Sequence, residues 1–122
     1  MKRKRKIVVF IEFDSIRNII TRALEQKNFE VHVISNLDES DKVLNGTSYN
    51  LFIADNDNRL KASFHFINKI RSITSYLYTP ILLLTTGTKE RYEEEYKPYN
   101  IAGYLPKPFD MNHFSTIIER LS

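Results

Sequence analysis

Apolar residues along this chain fall into two kinds of run that alternate from end to end. Residues 7–11, 51–54 and 81–84 are short, continuous and rich in aliphatic side chains, too brief for helices and suited to strands buried on both faces. Between them the apolar positions spread to helical spacing. Ile16, Ile19, Ile20, Ala23 and Leu24 make one face; Phe66, Ile67 and Ile70 a second; Phe114, Ile117, Ile118 and Leu121 a third. Asp14 or Ser15 is placed to N-cap the first of these helices and Asp110 the last. Phe29, Val31 and Val33 alternate with Glu30 and His32, which predicts a half-exposed edge strand with His32 toward solvent. A short helix is predicted from Asp38 to Leu44, closed by Asn45-Gly46. His65 falls on the polar side of the Phe66 helix. Residues 89–96 form a charged, short helix stopped by Pro98, and Gly103, Tyr104 and Leu105 a brief last strand.

Five strands, each followed by a helix, predict an α/β fold: a doubly wound parallel sheet with helices on both faces. Right-handed crossovers bring every strand-to-helix turn to one rim. Along that rim lie Ile11-Glu12, Asp55, Thr85 and Lys107. Asp55 ends a run of four consecutive apolar residues and enters the polar turn Asn56-Asp57-Asn58, at the strand end where open α/β sheets bind ligands. A lone Asp at such a place can merely cap a turn. Here an acid, a second acid, a hydroxyl and an ammonium meet, which points to chemistry.

Composition narrows the classes. A chain of 122 residues is one domain with room for a real core. It has no cysteine, which excludes disulfides, thiolate catalysis and cysteine-bound metals and fits a cytoplasmic location. No apolar run approaches a membrane span, and the stretch after the basic residues is too short for a signal peptide. The net charge of +3 hides an asymmetry: Lys2, Arg3, Lys4, Arg5 and Lys6 form a basic lead, without which the charge falls to about −2. The folded body is therefore not expected to bind nucleic acid directly, and the lead reads as a solvated end.

The ordered set Asp55, Thr85 and Tyr104-Leu105-Pro106-Lys107-Pro108-Phe109 closely resembles the receiver domain of bacterial response regulators in two-component signalling, over essentially the whole chain. The resemblance implies a flavodoxin-like (βα)5 sheet of strand order 2-1-3-4-5, and a signalling switch rather than an enzyme. It implies that Asp55 accepts a phosphoryl group from a sensor histidine kinase or phosphotransfer protein. Thr85 would contact that group, Lys107 would face it across a cis bond to Pro108, and Tyr104 would hold the aromatic switch position. Mg²⁺ would be bound by Glu12, Asp55 and the backbone carbonyl of Asp57, as the accumulating negative charge requires.

The chain departs from the pattern at several places. Receivers usually carry two acids after the first strand, and here the first of these is Ile11. One missing charge about 4 Å away removes up to about 4 kcal/mol of gross attraction at an effective dielectric near 20, so Mg²⁺ should bind weakly. Asn58-Arg59 replaces a usual Met-Pro, Ser63 a usual glycine, and Thr86 a smaller residue. These changes leave an alternative open: an atypical receiver that works as an interaction module without phosphate. An Asp55-Asn56-Asp57 phosphatase fits less well, since there is no room for a cap domain. Tyr92, Tyr96, Tyr99 and Tyr104 would either give a downstream protein partner a recognition face or merely cover the sheet edge with their hydroxyls in water. No effector domain is visible, so the sequence reads as a stand-alone receiver or as one cut from a longer protein.

Overall fold

The computed structural model describes residues 3–122. Five strands form one parallel sheet in the order β2-β1-β3-β4-β5, as expected. They are β1 (Lys6–Phe10), β2 (Glu30–Ile34), β3 (Leu51–Asp55), β4 (Ile81–Thr85) and β5 (Gly103–Pro106). Four α-helices cross between and after them: α1 (Asp14–Gln26), α2 (Ala62–Arg71), α3 (Lys89–Tyr96) and α4 (Met111–Leu121). Every residue of β3 and β4 is buried, which is why those strands read as unbroken apolar runs.

The pleat divides the core in two. Val8, Phe10, Phe52, Ala54, Ile81 and Leu83 point to the side covered by Phe66, Ile67 and Ile70 of α2 and Tyr92 and Tyr96 of α3. Ile7, Val9, Leu51, Ile53, Leu82 and Leu84 point to the opposite side, under Ile20 and Leu24 of α1 and Phe114 and Ile118 of α4. Each fully buried side chain of this size contributes about 1.5–3 kcal/mol, so both helical layers are clamped to the sheet. The strand ends they fix become a rigid rim.

Several details differ from the sequence reading. The N-cap of α1 is Phe13, without a side-chain bond, and Asp14 already lies in the first turn, where its carboxylate pairs with Arg17. The segment after β2 is a 3-10 helix, Leu37–Lys42, instead of an α-helix to Leu44. Its run of Asp38, Glu39, Ser40 and Asp41 favours local side-chain bonds over a longer helix. The Asn36 side chain accepts the Glu39 N–H at 3.2 Å and Glu39 accepts the Ser35 N–H at 3.0 Å. In β2 the alternation fails at Val33, which is 40% exposed, while Phe29 and Ile34 are buried. His32 lies edge-on against Tyr49 with ring centres 5.4 Å apart instead of standing free in solvent. The basic lead is also shorter than read, and Lys2 lies outside the described residues. Lys6 opens β1, and Arg5 sits 4.5 Å over the Phe29 ring and bonds Ser122 at 3.0 Å.

The tyrosines require a further correction. Tyr92 and Tyr96 are only 6% and 2% exposed, so their rings belong to the core under α3 and do not present a recognition face. Tyr92 packs on Tyr104 of β5 and Tyr96 on Phe64 of α2. Pro98 follows α3 within a 3-10 turn at Lys97–Tyr99, and Asp110 caps α4 by accepting the His113 N–H at 2.7 Å, both as predicted.

Tyr76 ties the loop before β3 to the core. Its ring is 1% exposed and packs on Phe52 and Tyr49. Its hydroxyl donates to the Thr47 carbonyl at 2.8 Å and accepts the Gly46 N–H at 3.0 Å. Tyr76→Phe should keep the packing and lose both bonds, lowering stability by about 1–2 kcal/mol. Urea unfolding should show the loss as a lower midpoint at unchanged slope; an unchanged midpoint would mean that water replaces the hydroxyl without penalty.

Candidate functional site

Asp55 ends β3 with no solvent exposure, β3 being the central strand with β1 and β4 paired on either side. Its Oδ1 accepts the Asp57 N–H at 2.8 Å. Its Oδ2 lies 2.5 Å from Lys107 Nζ, an ion pair that is close but off the direction of a well-formed hydrogen bond. Lys107 follows β5, and its N–H donates to the Thr85 carbonyl at 2.9 Å. That bond sets the lysine across the end of β4 toward Asp55. The Lys107-Pro108 peptide is cis, as the resemblance implied. Thr85 is 1% exposed, and its Oγ1 has no hydrogen-bond partner among the described residues. Buried hydroxyls are ordinarily satisfied, so this one is a donor in search of an acceptor.

Burial raises the Asp55 carboxyl above its ordinary 3.8, and it outweighs the opposing pull of Lys107 and the Asp57 N–H. The predicted residues Asp55, Thr85 and Lys107 are thus gathered at adjacent strand ends. Glu12 stands at the end of β1, its side chain 15% exposed. Tyr104 lies half-buried on β5, its ring 5.1 Å from that of Tyr92, and burial raises its phenol above the usual range.

Contacts of Arg17 and Arg59, to which the sequence reading gave no role, complete the site. Ile11 is fully buried in the apolar layer under α1 and α4, and the carbonyls of Ile11 and Glu12 both accept from Arg17 Nη1 at 2.9 Å. Arg59 takes both oxygens of Glu12. Its N–H donates to Oε2 at 2.8 Å and its Nε lies 2.5 Å from Oε1. These bonds hold the Glu12 carboxyl below its ordinary 4.5.

Asn58 and Ser63, read as losses, form a network instead. The Asn58 amide and the Ser63 hydroxyl both donate to the Asp55 carbonyl, and the Ser63 N–H donates to Asn58 Oδ1 at 3.1 Å. Asn56 spans the rim, donating to the Thr86 carbonyl at 3.0 Å and accepting its N–H at 2.7 Å. Beyond Arg59 the chain passes through two left-handed residues, Leu60 (φ 55) and Lys61 (φ 51). Each costs roughly 1–2 kcal/mol for a side chain other than glycine. A glutamate-arginine pair across two loops leaves no sequence pattern, whereas the matched change of Met-Pro and glycine to Asn58 and Ser63 was a usable signal.

The carboxylates of Glu12 and Asp55 are hard oxygen donors of the kind Mg²⁺ takes, with carbonyl and water completing its shell. The chemistry fits, but minimally. No group of three or more His, Cys, Asp or Glu stands together as a metal cluster among the described residues, and each carboxylate already has a cationic partner.

Three findings relate this geometry to known proteins. A family model described as "Response regulator receiver domain" matches residues 8–119. A "Probable transcriptional regulator ycf29" of Porphyra purpurea is 26% identical over 117 residues, covering 93% of this chain and 55% of that protein. This chain spans about half the length of the curated relatives it matches. Among solved structures, Vibrio cholerae chemotaxis protein CheY4 superposes with a TM-score of 0.89 at 25% identity, over 98% of this chain and all of that one. The receiver domain of sensor histidine kinase PA1611 from Pseudomonas aeruginosa has a TM-score of 0.84 at 17% identity, over 98% of each chain. That structure holds a magnesium ion in its active-site cleft. No helix among the described residues is long and apolar enough to cross a membrane.

The raised carboxyl of Asp55 makes stability depend on pH in a stated direction. A folded-state affinity for protons above the unfolded one means that stability falls as pH rises from about 3.8 through the folded value, then levels off. Asp55→Asn removes this dependence. The Lys107 pair forms only as Asp55 ionises, so its opposing pull is already contained in the raised folded value and leaves the direction unchanged. The stability of the variant relative to wild type should therefore grow across that window, by about 1.4 kcal/mol for each tenfold gain in proton affinity. Urea unfolding of both proteins at steps from pH 4 to 7 would measure it. A constant difference would show that Lys107 fully offsets burial.

Proposed function

Because the chain belongs to the response regulator receiver domain family, we propose that it accepts a phosphoryl group on Asp55 from a histidine kinase or phosphotransfer protein and then changes the face it offers to a downstream protein. The observation that carries this reading is a fully buried strand-end carboxylate, paired to Lys107 at 2.5 Å, beside a buried Thr85 hydroxyl without a partner. An Asp55 oxygen forms the bond to phosphorus as the bond from phosphorus to the donor's imidazole nitrogen breaks. The imidazole leaves with the electron pair. Lys107 offsets the charge gathered on the transferred group, and the Thr85 hydroxyl donates to one of its oxygens.

Glu12, Asp55 and the Asp57 carbonyl would hold Mg²⁺, which when bound supplies further neutralisation of phosphoryl oxygens. Weak binding is expected, since Ile11 offers no second acid. The half-buried Tyr104 is the side chain we assign to reporting the state of Thr85 along the β4–β5 edge, where Lys107 and Thr85 share a backbone bond. Its ring packs on Tyr92 of α3, so a shift there would reach the helix surface. The reading assigns the protein to the cytoplasm, to protein partners and not to direct contact with nucleic acid or membrane. In a longer chain, the partner would be an effector segment.

One observation favours a second reading, a receiver that binds partners without phosphate. Glu12 and Asp55 are each neutralised by a cation of the chain itself, so the pocket is balanced before any ligand arrives. Intact mass after treatment with acetyl phosphate and Mg²⁺ separates the two. A single phosphoryl adduct should appear on wild type and be absent from Asp55→Asn; an adduct persisting in the variant would move the chemistry elsewhere, and none on wild type would favour the second reading.

A further inference from the structure

Arg59 engages Glu12 through two different groups. The backbone N–H reaches Oε2 at 2.8 Å, and the guanidinium Nε lies 2.5 Å from Oε1. No oxygen of that carboxylate is left without a strong donor, and charge-assisted bonds of this kind are the firmest that side chains make. The guanidinium itself is 86% exposed, so it is held by Glu12 and not by packing. Directly after it, Leu60 and Lys61 adopt left-handed backbone conformations, and the Leu60 side chain is 92% exposed. Its packing therefore does not explain the conformation. The loop is held at its start by the Glu12 contact and at its end by Ser63 bonding Asn58.

We propose that Arg59 is the resident cation of Glu12, and that a divalent cation enters the site only by displacing it and letting residues 59–61 relax. This rests on the reading above that Glu12 and Asp55 hold Mg²⁺. The exchange has opposing parts. The guanidinium gives up one bond and the Arg59 N–H the other, but the guanidinium goes to water with little loss, since it is already exposed. Release of two left-handed residues favours the exchange. Arg59 thereby sets the metal concentration at which the site fills, independently of the acid missing at Ile11.

The test is Mg²⁺ titration of the full chain, followed by amide NMR shifts, for wild type, Arg59→Ala, Glu12→Gln and the double variant. Loss of an exposed ion pair predicts that Arg59→Ala binds Mg²⁺ about fivefold more tightly. In the Glu12→Gln background the same change should give no gain, because the competed group is gone. In wild type the Arg59 Nε–H, Leu60 and Lys61 signals should shift at the same Mg²⁺ concentration as those of Asp55 and Asp57. An equal affinity for Arg59→Ala, an equal gain in both backgrounds, or loop signals that stay fixed while the site saturates would each overturn the proposal. Absence of Mg²⁺ binding in every variant would overturn it as well and remove the metal from the proposed function. The phosphoryl adduct on Asp55 would still be tested separately by mass.

Discussion

The carboxyl group of Asp55, sealed from solvent at the end of β3, constrains everything around it. Taking a charge out of water is unfavourable by several kcal/mol unless a partner meets it, and the chain answers with Lys107 from the far side of β4. That reach works because the sheet is rigid. The register pairs Asp55 with Leu84 and Thr85 with Pro106, so the three functional residues stand on neighbouring strands. Two apolar layers clamp the strands from opposite faces, and neither rim nor lysine can drift without opening the core. Burial still raises the Asp55 carboxyl above its ordinary value despite Lys107, the kind of perturbation that clusters at functional positions.

The Asp55 backbone is held as firmly as its side chain. Its carbonyl accepts from Asn58 and Ser63, and Asn56 links the turn to Thr86 on the next strand. Asn58 and Ser63 need each other: the serine hydroxyl would be an orphan in a buried position without the carbonyl and amide that meet it. The turn has thus exchanged a proline's conformational restriction for a set of hydrogen bonds. Arg59 stands at the proline's own position, and both its N–H, which a proline lacks, and its guanidinium reach Glu12.

Much of this was legible before any coordinates. Unbroken apolar runs at β1, β3 and β4 gave the strands because burial on both faces removes alternation. Strand order then placed Glu12, Asp55, Thr85 and Lys107 on one rim. The misreadings at Val33 and Tyr96 share a cause, since both concern groups whose environment depends on distant chain. Val33 is turned out at an edge strand, and Tyr96 is drawn inward against Phe64, though neither has a local pattern that says so. Propensity did indicate a weak crossover near Asp38, but not that it would stop at six residues of 3-10 helix. Charge pairing is the least legible of all. Glu12 and Arg59 are separated by 47 positions, and only the geometry of the rim brings them together.

The balance of charge then decides what kind of switch this site can be. Two carboxylates facing two cations of the chain leave no standing excess of negative charge to draw in a divalent ion. A third acid would create one, and about 4 kcal/mol of gross attraction would come with a unit charge at 4 Å and an effective dielectric near 20. Ile11 occupies that place and contributes to the core under α1 and α4 instead. On the proposed reading the same balance would favour an incoming anion over an incoming metal: a phosphoryl group would meet Lys107 and the Thr85 hydroxyl, which has no partner among the described residues, while a metal would first have to separate Glu12 from Arg59. On the proposed reading, therefore, phosphoryl affinity and metal affinity are set by different residues. A partner that engages the exposed Arg59 would alter the second without touching Asp55, because the two ion pairs share no atom.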